Sequence, residues 1–352
     1  MKDHQQKVKI SKGKLLKIFA LTLSFSVLFS SCKKDKVEEV VHEEQIAQDW
    51  LPSFNEGTAK ASIVKFVSEV TDSTSSKFVK PEDRIACFDN DGTLWVEQPL
   101  PSQLFFELKR IEDMAADHPE WKNEMPFKAI IEKDTAAMGK FGMHDFLKII
   151  GTANAVSNVD DFDDIVNQWL QTAQHPVKKR PYTELVYQPM LELIDYLKAN
   201  DFKIYIVSGG SMEFMRAWAP EAYGIPKENI IGSSFKRETK QEGDKIVVSQ
   251  TGEFEFNDDH FGKVISIDKF IGKKPILIGG NSDGDLEMME YATTDNPLPT
   301  LMLYVDHTDG EREFRYTDQT PMGRLDKGRE VANRKGWTLI NMKTDWKTVY
   351  PN

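Results

Sequence analysis

The sequence predicts an α/β fold: a parallel sheet covered by helices on both faces, with a helical block inserted after its first strand. Three observations lead there. Four short apolar runs, Ile85–Phe88, Lys203–Val207, Pro275–Ile278 and Leu301–Val305, have strand length and do not alternate with polar residues, as suits strands buried on both faces. Helix-patterned segments separate these runs, the arrangement that builds parallel sheets. Each run ends in polar or glycine-rich sequence, and in open α/β sheets the ligand crevice lies beyond the carboxyl ends of the strands.

Composition narrows the function. The chain has 352 residues, 40% hydrophobic and 29% charged. That is roughly two domains of globular protein, with enough apolar residues for a buried core. With 45 Lys+Arg against 56 Asp+Glu and a net charge of -11, the chain is a poor general binder of nucleic acid. Two cysteines cannot build a disulfide scaffold.

Residues 1–31 read as a signal peptide of the lipoprotein type. Six lysines between Lys2 and Lys17 precede an apolar run, Ile18–Phe29. That run is too short for a spanning helix, which needs about 20 residues. Phe29-Ser30-Ser31-Cys32 resembles a bacterial lipobox, with Cys32 as the lipidated first residue of an exported, envelope-anchored protein. Without residues 1–31 the chain carries -16, so attachment to a membrane would rest on acyl chains at Cys32 rather than on charge. Residues 32–76 follow as a charged tether and N-terminal helices, at about Ile46–Trp50 and Ala59–Val70.

The core is expected over 77–99 and 187–352. Cys87, inside the first apolar run, reads as a buried inert thiol. Residues 100–186 form the helical block: Leu104, Phe105, Leu108 and Ile111 recur at helical spacing, as do Phe146, Leu147 and Ile150. Met190–Leu197 is a further amphipathic helix, residues 231–256 suggest a small hairpin, and Leu325–Tyr350 reads as a packing helix and strand. There are no internal repeats.

Four segments carry candidate chemistry. In Phe88-Asp89-Asn90-Asp91-Gly92-Thr93 two carboxylates sit two residues apart after a strand. Close carboxylates repel and raise a pKa unless a cation is present, and Asp supplies the hard oxygens that Mg2+ prefers. The pair thus suits a metal, or a nucleophile and an acid/base; the plain alternative is a solvated Asp-Gly turn. Ser208-Gly209-Gly210 ends the second strand, where a hydroxyl and free N–H groups suit an anion, or a helix cap. Lys263, leading an amphipathic helix, could reach into the crevice. Gly280-Asn281-Ser282-Asp283-Gly284-Asp285 crowds oxygens into a strand-to-helix loop and suits a cation, or a polar cap.

In this order the four segments resemble the haloacid dehalogenase-like superfamily. The first matches its D-x-D-x-T signature, and the spacing of Asn281 and Asp285 matches its G-D-x-x-x-D pattern; the arrangement is similar to phosphoserine-phosphatase-like and acid-phosphatase-like members. The resemblance implies a Rossmann-like core with a helical cap and hydrolysis of a small phosphorylated metabolite with Mg2+. It implies that Asp89 attacks phosphorus to form an aspartyl-phosphate and that Asp91 protonates the leaving alcohol and then activates water. Ser208 and Lys263 would hold the phosphoryl oxygens. Asn90, Thr93, Gly209, Trp95 and Glu97 would line or brace the substrate side, and Asp89, Asp91, Asn281, Asp283 and Asp285 are the candidate metal ligands. Asn281 departs from the family, which usually has Asp there.

Two alternatives stand beside this reading. Gly280-Asn281-Ser282-Asp283-Gly284 is formally G-x-S-x-G, so Ser282 could be an esterase nucleophile with His307 and Asp306 or Asp295. A lipoprotein that binds phosphate esters without turnover is the other. No zinc-spaced histidines, P-loop or dinucleotide motif occurs.

Overall fold

The computed structural model describes residues 48–320 and 322–351. The signal peptide, Cys32 and the tether up to residue 47 lie outside the described residues. Twelve α-helices and seven strands are present among the described residues. The strands are β1 (Ile85–Phe88), β2 (Lys203–Ser211), β3 (Ile230–Glu242), β4 (Lys245–Phe256), β5 (Leu277–Gly280), β6 (Leu301–Asp306) and β7 (Thr338–Asn341). The helices are α1 (Thr58–Thr71), α2 (Ser102–Met114), α3 (Phe127–Ile131), α4 (Thr135–Met138), α5 (Met143–Asn154), α6 (Asp160–Thr172), α7 (Gln188–Ala199), α8 (Met212–Tyr223), α9 (Phe261–Ser266), α10 (Leu286–Thr293), α11 (Lys327–Lys335) and α12 (Met342–Asp345).

The sheet runs β4-β3-β2-β1-β5-β6-β7. All pairs are parallel except β3 with β4, which form the expected hairpin as an antiparallel extension. β1 is central, with β2 on one side and β5 on the other, so the strand order reverses around it. Phe88 pairs with Ile206 of β2 and with Gly279 of β5. That register brings Asp89, Ser208 and Asn281 to one edge of the sheet, where a doubly wound fold opens its crevice.

The non-alternating apolar pattern is explained by two cores. Ala86, Phe88, Ile204, Ile206, Leu277, Leu303 and Val305 face one cluster, with residues of α1, α7 and α8. Ile85, Cys87, Val207, Ile278, Met302 and Tyr304 face the other, with residues of α10 and α11. Successive strand residues point to opposite faces, and both faces are covered. Cys87 is fully buried, and burial pushes its thiol far up, out of reach of thiolate chemistry.

The helical block lies between β1 and β2 in the chain and has a small core of its own, built on Ile111, Trp121, Phe127, Ile130, Ile149 and Ala153. Leu147, expected on the packed face of α5, is exposed; Ile149 and Ala153 are buried instead. At the N-terminal end the described part of the expected 46–50 helix is not helical. Helix α1 does form, but as part of the core rather than of a tether. Ile63, Phe66, Val67 and Val70 are buried in the first cluster, and Phe54 bridges to Trp346 near the C-terminus. Among the described residues no helix is long and apolar enough to cross a membrane.

Candidate active site

The turn after β1 is built by its own backbone. The carbonyl of Asn90 accepts N–H bonds from Thr93 and Leu94, and the Gly92 N–H donates to the Trp95 carbonyl. Gly92 has φ +74°, a left-handed conformation that glycine adopts without strain, and a Cβ there would lie 2.1 Å from the Asn281 amide. The turn therefore closes directly onto the loop after β5.

Asp89, Ser208, Lys263 and Asn281 are all buried at this edge. Lys263, from the first turn of α9, donates from Nζ to Asp89 Oδ1 at 2.8 Å and to Asp285 Oδ1 at 2.6 Å. Burial works against the Lys263 ammonium, but the charges of Asp285 and Asp89 outweigh it and raise its pKa. Burial pushes the Asp89 carboxyl up to about 7, against the pull of Lys263. Asp91 is raised as well, again chiefly by burial, and its Oδ1 accepts from Trp95 Nε1 at 2.9 Å. Its Oδ2 faces Gly210, where a Cβ would meet it at 3.5 Å, an ordinary contact distance.

These groups floor a cavity of about 570 Å3 roofed by α2, α5 and the β3–β4 hairpin. Asp89, Asp91, Glu97, Ser208, Gly209 and Lys263 all line it. Glu97 is buried between Gly92 and Gly323; burial, then Asp91 and Asp89, hold its carboxyl well above the usual range.

Several expected residues take other roles. The Asn90 side chain does not face the cavity; its Oδ1 accepts from Tyr223 OH at 2.9 Å in the core. Trp95 is fully buried and stacked on Trp218 with ring centroids 4.1 Å apart, so it orients Asp91 rather than touching substrate. Thr93 is equally buried and braces the loop after β5, donating to Asn281 Oδ1 at 3.1 Å. Asp283 is not placed as a metal ligand, because its carboxylate accepts backbone N–H bonds from Asp326, Lys327 and Gly328 at 2.8–3.2 Å. Asp285 is likewise spent: Oδ1 takes Lys263, and Oδ2 takes the N–H groups of Asn281 (2.9 Å) and Ser282 (3.0 Å).

What remains for a cation is a compact oxygen set. The amide atom of Asn281 that bonds Thr93 lies 3.0 Å from the Asp91 carbonyl oxygen and 3.3 Å from Asp89 Oδ2. Ligands about 2.1 Å from Mg2+ in an octahedron are about 3 Å apart along an edge, so the two edges that run from an amide oxygen at this position fit. With the amide turned over, its NH2 would donate to the same acceptors instead. The set is poor in charge, with one carboxylate, one carbonyl and one amide. Among the described residues no three His, Cys, Asp or Glu side chains converge on a metal position.

The esterase arrangement is absent. Ser282 Oγ caps its own turn, accepting from the Gly284 N–H at 3.1 Å. His307 is buried with both nitrogens occupied, Nε2 by the Gly92 carbonyl at 2.6 Å and Nδ1 by Glu313 at 3.1 Å. Asp306 is paired with Arg329, and Asp295 is an exposed turn residue.

The structure also reveals residues not singled out beforehand. Gln103 accepts the Ser211 N–H at 2.8 Å and donates to Glu107 at 2.7 Å. Asn154 donates to Glu107 at 3.0 Å and accepts from the Ser211 hydroxyl at 3.2 Å; its carbonyl accepts from Gln250 at 2.7 Å. Glu107 had a signal in the sequence: it sits on the apolar stripe of α2 between Leu104 and Ile111, where a charge has no reason to be unless it is used. Glu313 had only its place after a strand end.

Residues 84–247 match the family model of the haloacid dehalogenase-like hydrolases. Over that segment the chain is similar to the haloacid dehalogenase-like hydrolases. A conserved protein of unknown function from Anaerococcus prevotii DSM 20548 has a similar fold, with a TM-score of 0.50 at 17% identity over 84% of this chain and 94% of that one. A protein of unknown function from Bordetella pertussis Tohama I aligns with a TM-score of 0.44 at 13% identity, covering 74% of this chain and 98% of that one. A phosphoserine phosphohydrolase-like protein from Francisella tularensis subsp. tularensis SCHU S4 aligns with a TM-score of 0.33 at 20% identity, covering 63% of this chain and 87% of that one. No curated protein matches the sequence. The matched segment holds the turn after β1, the helical block and Ser208; Lys263 and the loop after β5 lie beyond it.

Proposed function

We propose that the chain is a Mg2+-dependent phosphomonoesterase acting through an aspartyl-phosphate on Asp89. The observation that carries this reading is the placement of Asp89. Its Oδ1 is bonded to Lys263, its Oδ2 lies 3.3 Å from the Asn281 amide, which is itself 3.0 Å from the Asp91 carbonyl, and Asp89 lines the cavity.

Asp89 attacks phosphorus with a carboxylate oxygen, the ester P–O bond breaks, and Asp91 gives its proton to the departing alcohol oxygen. Burial raises Asp91 and so favours the protonated form an acid needs. Asp91, now a carboxylate, takes a proton from water as the water oxygen attacks phosphorus. The bond to Asp89 breaks and inorganic phosphate leaves. Ser208 and Lys263 hold the phosphoryl oxygens, and Trp95 keeps Asp91 turned toward the reacting atoms. Asp89, the Asp91 carbonyl and Asn281 would hold Mg2+, which supplies positive charge against the phosphate and the ionised nucleophile.

Hydrolysis of 4-nitrophenyl phosphate with Mg2+ and with EDTA tests the reading. Turnover that needs Mg2+ is expected. Binding of phosphate esters without turnover at any Mg2+ concentration would favour a non-catalytic binding protein instead.

We also infer export and lipid attachment at Cys32, on the basic and apolar pattern of residues 1–32. Labelling with a fatty-acid analogue, expected in the natural chain and lost in Cys32→Ser, tests it.

A further inference from the structure

We propose that the cavity selects phosphomonoesters of apolar, ring-bearing alcohols that carry no second anionic group. This rests on the phosphatase reading and names its substrate class.

The first argument is the wall opposite the nucleophile. Phe235 and Phe254 come from the two strands of the hairpin and meet edge to face, with centroids 5.1 Å apart. Phe146 and Ile150 face the cavity from α5 and Leu104 from α2. A cavity of about 570 Å3 is far larger than a phosphate group needs. Its spare volume is bounded by aromatic and aliphatic carbon, which gains from contact with a ring and offers nothing to a charged group.

The second argument is charge. The basic side chains that line the cavity already have carboxylate neighbours. Lys263 is bound by Asp89 and Asp285, Arg324 is paired with Asp326, and His260 sits between Asp259 and Glu287. Glu97 and Glu107 line the same space. A second phosphate or a carboxylate on the leaving group would lose its hydration and meet carboxylates rather than a free cation.

Two matched pairs of probes test this. Benzyl phosphate and 3-phosphoglycerate are both esters of alkyl alcohols, so their kcat/KM values compare recognition rather than leaving-group chemistry. Phenethylphosphonate and 3-phosphonopropionate are non-hydrolysable counterparts whose binding, measured by calorimetry with Mg2+ present, does not depend on turnover. The ring-bearing member of each pair is expected to be favoured by about tenfold or more. Phe254→Ala should remove most of that preference by weakening phenethylphosphonate alone, and Glu107→Gln should improve 3-phosphonopropionate. If neither ester is hydrolysed while the phosphonate preference holds, the phosphatase reading fails and the selectivity stands. Equal binding of the two phosphonates, or equal loss of both in Phe254→Ala, overturns the proposal.

Discussion

The ring of His307 reaches across from the end of β6 and places Nε2 2.6 Å from the carbonyl oxygen of Gly92. A carbonyl only accepts, so Nε2 donates. On the other side of the ring Nδ1 meets Glu313, whose second oxygen takes the hydroxyl of Tyr187 at 3.1 Å, and the ring face stacks on Tyr316 at 3.9 Å. The turn that carries Asp89 and Asp91 is thus held from below by a buried polar chain.

His307→Ala should therefore slow the chemistry more than it weakens binding. A kcat loss of about 10- to 100-fold with KM little changed is expected, since a small displacement of the turn misplaces Asp91. Steady-state kinetics, with circular dichroism to show a retained fold, checks this; a rise in KM alone would count against it.

Asp89→Asn should remove turnover by about a thousandfold or more, because an amide cannot form the acyl-phosphate. Asp91→Asn should trap phosphate on Asp89 or stop the first step. Acid-quench experiments with radiolabelled ester distinguish the two results.

Asn281→Asp should tighten Mg2+ binding, since it adds a full charge to a ligand set with one carboxylate. Calorimetry on the variant should show at least a tenfold gain. Without metal the variant should melt below the parent, because a new carboxylate then faces Asp89.

Glu107 supplies a pH signature. Burial pushes its carboxyl up to about 7, opposed by the bonds from Gln103 and Asn154, against an ordinary 4.5. With the folded pKa above the unfolded one, the stability linked to its proton is present below 4.5 and lost as pH rises through about 7. Glu107→Gln keeps the acceptor for Gln103 and Asn154 and carries no charge. It should match the parent near pH 4.5 and exceed it by about 2–3 kcal/mol at pH 8, as urea unfolding at the two values will show.

The sheet and the place of Asp89 at its edge were legible because their signals are local. Ile85–Phe88 is apolar throughout, ends in Asp89, and needs no distant residue to be recognised. Ser208 and Lys263 stand out for the same reason, as polar groups just after a strand or at the head of a helix. The loop after β5 was not resolvable this way. Asp283 and Asp285 look alike in sequence, yet one is caught by backbone N–H groups some 45 residues away and the other by Lys263. Asn90 and Trp95 follow the nucleophile closely, but their partners are Tyr223 and Trp218 on α8, and only packing reveals which way each turns. His307 depends on a bond across 215 positions, which no spacing announces.

Ser211 is gripped twice by the helical block, through its N–H by Gln103 and through its hydroxyl by Asn154. Three residues upstream stands Ser208. Any outward displacement of α2 or α5 would therefore pull on the stretch proposed to hold phosphate, which ties the width of the entrance to the grip on the guest.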